Sequence, residues 1–256
     1  MIQPVSKCRP GTLIATGVGL VLLAINGHLP ARAVEPLRVH MLSGTKEYES
    51  EPSLVKLKEH LEKSYQVACT ISRGHDGCTE FPGIEALDRA DVLVVFCRRT
   101  RPVEQQLEKI KKWCAEGKPV VGIRTASHAF QDWLEFDKEV LGGDYHGHYG
   151  RDESVRVSLA EGAAGHPILE GIEPWTRLGK LYKNPDLADD VTLLLVGEGK
   201  NATEPLAWCR TYRKENDGRS FYTSMGLPED FQDEPFLKLI AGAISWTAKR
   251  PLEKSE

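Results

Sequence analysis

Short apolar runs alternate with amphipathic helical patterns through the first half of the chain, and this alternation most strongly limits the fold. Residues 92–96 are almost entirely apolar, as a strand buried on both faces requires. A helical pattern follows over residues 103–115 and is ended by Gly117 and Pro119. A second apolar run then covers residues 120–123. Repetition of this order predicts an α/β protein with a mostly parallel sheet and helices on both faces.

The spacing of apolar residues predicts the remaining elements. Further strands are expected at residues 37–42, 66–72, 155–159, 193–197, 206–212 and 219–224, and further helices at residues 53–63, 84–89 and 236–248. The strand at residues 155–159 is expected at an edge of the sheet. We predict a single domain over residues 34–256, because about 223 residues suit one α/β domain better than two small ones.

The first 33 residues have the pattern of a secretory signal peptide. Basic residues precede an uncharged apolar run at residues 13–25, and residues 31–33 read Ala-Arg-Ala, a small-x-small cleavage pattern. The apolar run is short for a membrane span, and Gly27 and Pro30 follow it, which favours cleavage over a permanent anchor. We predict a mature chain without a stable membrane span, exported to the periplasm or secreted.

Charge and cysteine content limit the partners of the mature chain. Removal of the leader leaves 30 basic and 37 acidic side chains, a balance that argues against nucleic acid and anionic membranes as partners. A small-molecule ligand is favoured, and a homo-oligomer is an open alternative. Five cysteines remain, so at least one thiol is unpaired. Cys69 and Cys78 flank a loop and are the candidate pair for a disulfide, although free thiols are favoured.

Polar residues follow four of the predicted strands. They are residues 44–48, His75 with Asp76, Arg98 with Arg99, and residues 124–128. Solvation alone explains any one of these loops, but the carboxyl ends of parallel strands meet at one rim of a sheet, and together the loops favour a ligand site there.

Arg124 occupies the tight turn after the strand at residues 120–123, a position where a nucleophile is expected. A guanidinium cannot attack a substrate, but it binds a carboxylate, a phosphate or a sugar oxygen. The alternative is a salt bridge to Asp76 or Glu47. Cys97 is the only cysteine placed like a nucleophile, and neighbouring arginines would favour its thiolate, although its apolar strand favours a buried thiol.

Three histidines are candidates for proton transfer. His128 lies four residues after Arg124, within one helical turn if a helix begins there. His146 and His148 are spaced so that both could bind one metal ion, and Asp144 or His75 would supply a further ligand to that site. No established metal-binding signature accompanies them, so a hydrogen-bonding or proton-transfer role is favoured and no metal is assigned.

Several motifs, taken in order, resemble the ThuA-like (trehalose utilisation) family. They are Val121-Gly122-Ile123-Arg124, the Gly142-Gly143 loop ending at His148, His166-Pro167-Ile168 with Gly171-Ile172, Leu181-Tyr182, Pro205-Leu206-Ala207-Trp208 and Phe221-Tyr222-Thr223. The resemblance covers nearly the whole mature chain. It implies the flavodoxin-like sheet of the class I glutamine amidotransferase-like superfamily and a role in carbohydrate metabolism.

The departures from this family concern its reactive positions. The amidotransferase nucleophile is a cysteine in the tight turn that here follows the strand at residues 120–123, and we call this turn the elbow. Many ThuA-like proteins have histidine at this position, whereas this chain has Arg124. Family members often have Gly-His after the last strand, where this chain has Met225-Gly226-Leu227. Glutamine hydrolysis is therefore not expected.

The resemblance implies action on a disaccharide or a keto-sugar by proton transfer, of hydrolase, lyase or isomerase type. The expected catalytic residues are Arg124, His128, His148 and Tyr222, and the expected substrate-binding residues are Glu47, Tyr48, Arg98, His146 and Tyr182. No cofactor is expected. Two alternatives stay open: a non-catalytic sugar-binding or accessory protein, and a metal-dependent hydrolase that uses His146 and His148.

Overall fold

Nine strands and three α-helices form the structure, a computed structural model that describes residues 1–3, 11, 35–150 and 152–255. The strands are β1 Leu37–Gly44, β2 Val67–Arg73, β3 Val92–Cys97, β4 Val120–Ile123, β5 Glu153–Leu159, β6 Trp175–Gly179, β7 Thr192–Glu198, β8 Thr203–Arg213 and β9 Gly218–Thr223. The helices are α1 Ser50–Ser64, α2 Glu104–Ala115 and α3 Glu234–Ala248. All belong to one unit, Glu35–Glu256.

The predicted signal peptide lies, apart from residues 1–3 and 11, outside the described residues. Among the described residues, no helix is long and apolar enough to cross a membrane.

The sheet is mixed, and the prediction of a mostly parallel sheet is wrong. In the order β2-β1-β3-β4-β9-β8-β7-β5-β6, the pairs from β2 to β9 are parallel and those from β9 to β6 are antiparallel. Only short turns join β7 to β8 and β8 to β9. Parallel neighbours need a crossover of a dozen or more residues, so these connections require antiparallel pairing.

Helices cover both faces of the parallel half. Alternate residues of β3 point to opposite faces, and all six are buried. Its Val94 belongs to the same apolar cluster as Leu57 of α1 and Leu239 of α3. Its Val95 belongs to the opposite cluster, with Ile110 of α2. The central strands are thereby fixed on both sides, and their carboxyl ends form a rigid rim.

One strand was absent from the sequence-based expectation. β6 forms an edge of the sheet, so β5, expected at an edge, lies instead between β6 and β7. β6 has five residues and places Arg177 on its buried face, with Leu178 exposed. This pattern inverts the usual alternation of apolar and polar residues, and for that reason the sequence gives little signal of a strand.

Candidate functional site

Two arginines end neighbouring parallel strands in strained backbone conformations. Arg99 follows β3 with φ 50°, and Arg124 follows β4 with φ 48°. Left-handed backbone costs a non-glycine residue about 1 kcal/mol or more, so the surrounding contacts must hold both residues in place. Arg124 begins a short 3₁₀ helix, Arg124–His128, rather than a long helix. The elbow therefore exists as a tight turn with an arginine at its apex.

The guanidinium of Arg124 is fully buried and has no carboxylate partner in residues 35–150 and 152–255. Its Nη1 donates to the Ser224 carbonyl oxygen at 3.0 Å, whereas Nε and Nη2 have no hydrogen-bond partner within the same residues. The guanidinium carbon lies 4.2 Å from the ring centroid of Tyr48 and 5.0 Å from that of Tyr182. Burial disfavours the charge, but Tyr182 and Tyr48 outweigh it and raise the pKa of Arg124. Cation–π contacts thus take the place of a salt bridge.

The carboxylates considered as partners of Arg124 contact Arg98 instead. The Nε of Arg98 lies 3.2 Å from Oε2 of Glu47, and its Nη1 lies 3.7 Å from Oδ1 of Asp76. The salt-bridge alternative for Arg124 is therefore wrong. Glu47 and Arg98 form a partly exposed pair at the mouth of the site.

Tyr222 supports the elbow from below. Its ring is fully buried, and its hydroxyl donates to the Arg124 carbonyl oxygen at 2.6 Å. Gly122 makes room for this ring, since a Cβ there would lie 3.1 Å from Tyr222 Cδ2. Tyr222, expected among the catalytic residues, does not present its hydroxyl at the rim, because β9 lies beside β4 within the core and the hydroxyl is used by the backbone.

His128 ends the 3₁₀ helix and packs against a tyrosine. Its ring stacks on Tyr145, with centroids 4.5 Å apart, and its Nδ1 lies 3.0 Å from the Ser127 hydroxyl. Burial lowers the pKa of His128 to about 3, and the charges of Arg99, Arg98 and Arg124 add to this effect. The imidazole is consequently neutral at physiological pH.

His146 and His148 are exposed and have different partners. The Nε2 of His146 lies 2.9 Å from Oδ1 of Asp144, and the Nδ1 of His148 donates to the Tyr149 carbonyl oxygen at 3.1 Å. Across the described parts of the chain (1–3, 11, 35–150 and 152–255), no group of three or more His, Cys, Asp or Glu side chains is placed to hold a metal ion.

Tyr182 connects the polar residues of the rim. Besides its contact with Arg124, its ring centroid lies 4.7 Å from that of Tyr145 and 6.4 Å from those of His128 and His148. Burial raises the pKa of Tyr182 well above its ordinary value. The structure therefore brings together Arg124, His128, His148, Tyr48 and Tyr182, while His146 turns toward Asp144.

Cys97 is not placed to act as a nucleophile. Its side chain is fully buried with Sγ 3.5 Å from the Leu42 carbonyl oxygen, and burial raises the pKa of the thiol well above its ordinary value. The expected activation by neighbouring arginines is wrong, because burial dominates and the charges that act on this thiol, those of Cys78 and Asp76, raise its pKa further. The five cysteines within residues 35–150 and 152–255 are all free and buried, Cys69 and Cys78 among them.

Asp137 and Tyr145 are site residues that the sequence analysis missed. Asp137 is 7% exposed, and its Oδ2 accepts a hydrogen bond from the Tyr145 backbone N–H at 3.1 Å. Its Oδ1 is buried and has no partner among the residues that the structure describes. Burial raises the pKa of this carboxyl to about 7. The glycine at position 143 was the only mark of this contact in the sequence. The structure explains it, because a Cβ there would lie 2.4 Å from Asp137 Oδ1.

A cavity of about 260 Å³ lies beside the stacked rings of His128 and Tyr145. Its walls come from residues 127–138 and 143–145. They include Ser127, His128, Trp133, Leu134, Asp137 and Tyr145.

The fold is similar to those of several solved structures. The chain is similar to ThuA-like proteins from Bacteroides uniformis ATCC 8492 (TM-score 0.64) and Parabacteroides merdae ATCC 43184 (TM-score 0.66), each 18% identical. These alignments cover 86% of this chain and 95% and 93% of the other chains. A glutamine amidotransferase from Thermotoga maritima aligns with a TM-score of 0.52 and 12% identity, over 83% of this chain and 98% of that chain. Such low identities show a shared glutamine amidotransferase-like α/β fold and nothing finer.

A search of curated proteins gives no match. The family model ThuA, described as trehalose utilisation, matches residues 38–247. This match spans the parallel strands, the elbow and all the rim residues described above. The chain belongs to the ThuA family.

Proposed function

We propose that the protein acts in carbohydrate metabolism on a disaccharide or a keto-sugar, and that on a keto-sugar it acts through proton transfer next to the carbonyl group. The observation that carries this proposal is the fully buried guanidinium of Arg124, whose Nε and Nη2 have no partner among the described residues, together with the neutral imidazole of His128, which lies near the same Tyr182 ring. The trehalose-utilisation description of the family supports the substrate class.

Arg124 binds the carbonyl oxygen of the substrate and stabilises the negative charge that develops on it. A proton leaves the neighbouring carbon and is taken up by a ring nitrogen of His128, while the electron pair of the C–H bond moves toward the carbonyl oxygen. The developing charge raises the proton affinity of the imidazole, which is otherwise low. Return of the proton to a different atom gives isomerisation, and loss of a leaving group gives elimination.

Tyr48 and Tyr182 control access to Arg124. Both rings lie over the guanidinium, and Tyr182 is fixed by backbone pairing of its segment with the loop at residues 146–149. Tyr48 lies in the turn between β1 and α1 and is 6% exposed. We expect Tyr48 to move aside when a ligand binds, with Glu47 and Arg98 at the entrance and His148 beside Tyr182.

Glutamine amidotransfer is not part of the proposal. An arginine occupies the elbow, and the thiol of Cys97 is buried and protonated.

A non-catalytic sugar-binding role is the second candidate, favoured by the complete burial of Arg124 under aromatic rings. Export is also proposed, on the basis of the leader pattern in residues 1–33, and the mass of the mature N-terminus tests it.

The decisive experiment measures binding and turnover of trehalose, other glucosides and 3-keto-glucosides. Variants Arg124→Met and His128→Gln are compared with Arg101→Met, which removes an exposed arginine that pairs with Asp132 outside the site. Turnover that is lost in the first two variants and kept in the control supports the proposal. Binding without turnover supports the accessory role. Turnover that survives Arg124→Met contradicts the proposed mechanism.

A further inference from the structure

The cavity beside the His128–Tyr145 stack has walls that are held in place without a ligand. Thr100, just after β3, donates its backbone N–H to the Ala129 carbonyl oxygen at 2.7 Å and accepts from the Gln131 N–H at 2.9 Å. Phe136 packs edge-on against Phe130 and Trp133, with centroids 5.2 and 5.0 Å apart. The pocket is therefore preformed, which lowers the entropic cost of binding.

The lining combines apolar rings with a few polar groups. Trp133 and Tyr145 supply aromatic surface, and Leu134, 67% exposed, lies at the lip. The polar groups come from Ser127, His128, Asp137, Lys138 and Asp144. Apolar and aromatic walls with a small number of polar groups are typical of sites for small organic ligands.

Asp137 is the unusual member of this lining. Its residue is more than nine-tenths buried, and within the described residues one carboxyl oxygen has no hydrogen-bond partner. A buried polar group without a partner is costly, and a ligand hydroxyl that reached this oxygen would remove the cost. Gly143 packs directly against that oxygen, since a Cβ there would lie 2.4 Å from it.

We propose that this cavity binds one sugar ring of the substrate, with the ring's C–H face against Trp133 and Tyr145 and its hydroxyls hydrogen-bonded to Asp137. This inference rests on the proposed function and assigns a location to one part of the substrate. Ligand sites usually start at about 300 Å³, so a cavity of about 260 Å³ suits a single ring rather than a whole disaccharide. Because the pKa of Asp137 is about 7, its carboxyl both donates and accepts hydrogen bonds near neutrality.

The test is calorimetric and NMR titration with D-glucose, methyl α-glucoside and its 3-keto derivative at pH 7. We expect saturable binding that is weakened at least tenfold by Trp133→Leu and by Leu134→Arg, which fills the mouth of the cavity without touching the core. Asp137→Asn should weaken binding and remove its pH dependence between pH 6 and 8. Asp132→Asn is the matched control, since this exposed carboxylate pairs with Arg101, and its affinity should stay within twofold of the wild type.

Two results would overturn the subsite: no saturable binding of any of the three sugars, or binding that Leu134→Arg and Trp133→Leu leave unchanged. The subsite and the proposed function fail separately. Glucose binding in the cavity with no turnover of any substrate supports the subsite and contradicts the catalytic role. Turnover of keto-glucosides with an unchanged KM in Trp133→Leu supports the catalytic role and contradicts the subsite.

Discussion

Two fully buried arginines in this protein have opposite surroundings. Arg177 on β6 forms a two-point ion pair with Asp230, with Nε 2.7 Å from Oδ1 and Nη2 2.6 Å from Oδ2. In the part of the chain that the structure describes, Arg124 has no carboxylate within salt-bridge distance, and it contacts two tyrosine rings instead. Burying a charge is costly unless it is paired, so an unpaired arginine in the core calls for a separate explanation.

The comparison separates a structural arginine from the one that the proposed mechanism uses. Asp230 also accepts hydrogen bonds from the backbone N–H groups of Gly226 and Leu227, both at 2.7 Å, so the Arg177 pair fixes the loop after β9. That loop supplies the Ser224 carbonyl that holds Arg124. The paired arginine thus stabilises this loop, and the unpaired one is the arginine to which the proposed mechanism assigns the ligand.

The largest expected effect comes from breaking the paired arginine. Asp230→Ala should lower the free energy of unfolding by about 3–5 kcal/mol, because it leaves the Arg177 charge buried and unpaired. Urea unfolding measures the loss. Asp190→Ala is the control, since its pair with Arg210 is partly exposed and should contribute about 1 kcal/mol or less. Equal losses in the two variants would contradict the structural role.

Replacement of the unpaired arginine should affect activity more than stability. Arg124→Met leaves no carboxylate without its partner, so the free energy of unfolding should change by less than about 2 kcal/mol. Turnover of a keto-glucoside should fall at least 100-fold, as when an oxyanion-stabilising donor is removed. Unfolding and steady-state kinetics on the same preparation measure both quantities. A loss of stability as large as that of Asp230→Ala would make Arg124 a structural residue.

His128 and Asp137, which line the same cavity, should make opposite contributions to the pH dependence of stability. The folded-state pKa of His128, about 3, lies below its ordinary 6.5, so the unfolded chain binds more protons as the pH falls from 6.5, and stability is lost. The folded-state pKa of Asp137, about 7, lies above its ordinary 3.8, so its contribution is present below pH 3.8 and is lost as the pH rises through 7.

Urea unfolding at pH 7.5 and 5.0 tests these signs. Between these values each group should change the free energy of unfolding by about 2 kcal/mol in opposite directions. When the pH is lowered from 7.5 to 5.0, the free energy of unfolding of His128→Gln should therefore rise relative to that of the wild type. The free energy of unfolding of Asp137→Asn should fall relative to that of the wild type. The same pH response in both variants would refute the assignment.

The smallest effect is expected at Cys97. Its thiol is buried and its pKa is raised, so a thiol reagent at pH 7.5 should not modify it in the folded protein. Cys97→Ala should leave turnover within about twofold of the wild type, since no step in the proposed mechanism uses the thiol. Mass spectrometry of the labelled protein and initial rates check these outcomes. Rapid labelling with loss of turnover would restore the nucleophile hypothesis.

Local patterns in the sequence predicted the elements of the parallel half well. The apolar runs of β3 and β4 and the amphipathic spacing of α2 depend on neighbouring residues, so the sequence carries them directly. β6 escaped prediction because its buried face holds Arg177, whose partner Asp230 is distant along the chain. A pairing of this kind becomes visible only when the fold brings the two side chains together.

The sequence by itself determined the ThuA family, the α/β alternation and the presence of an arginine at the elbow. Only the tertiary structure decided what that arginine contacts, that Tyr222 supports the elbow, and that Asp137 joins His128 at a cavity. The physical reason is that burial and charge pairing depend on residues distant along the chain. The same guanidinium is a salt-bridge partner or a free donor according to which side chains the folded sheet places around it.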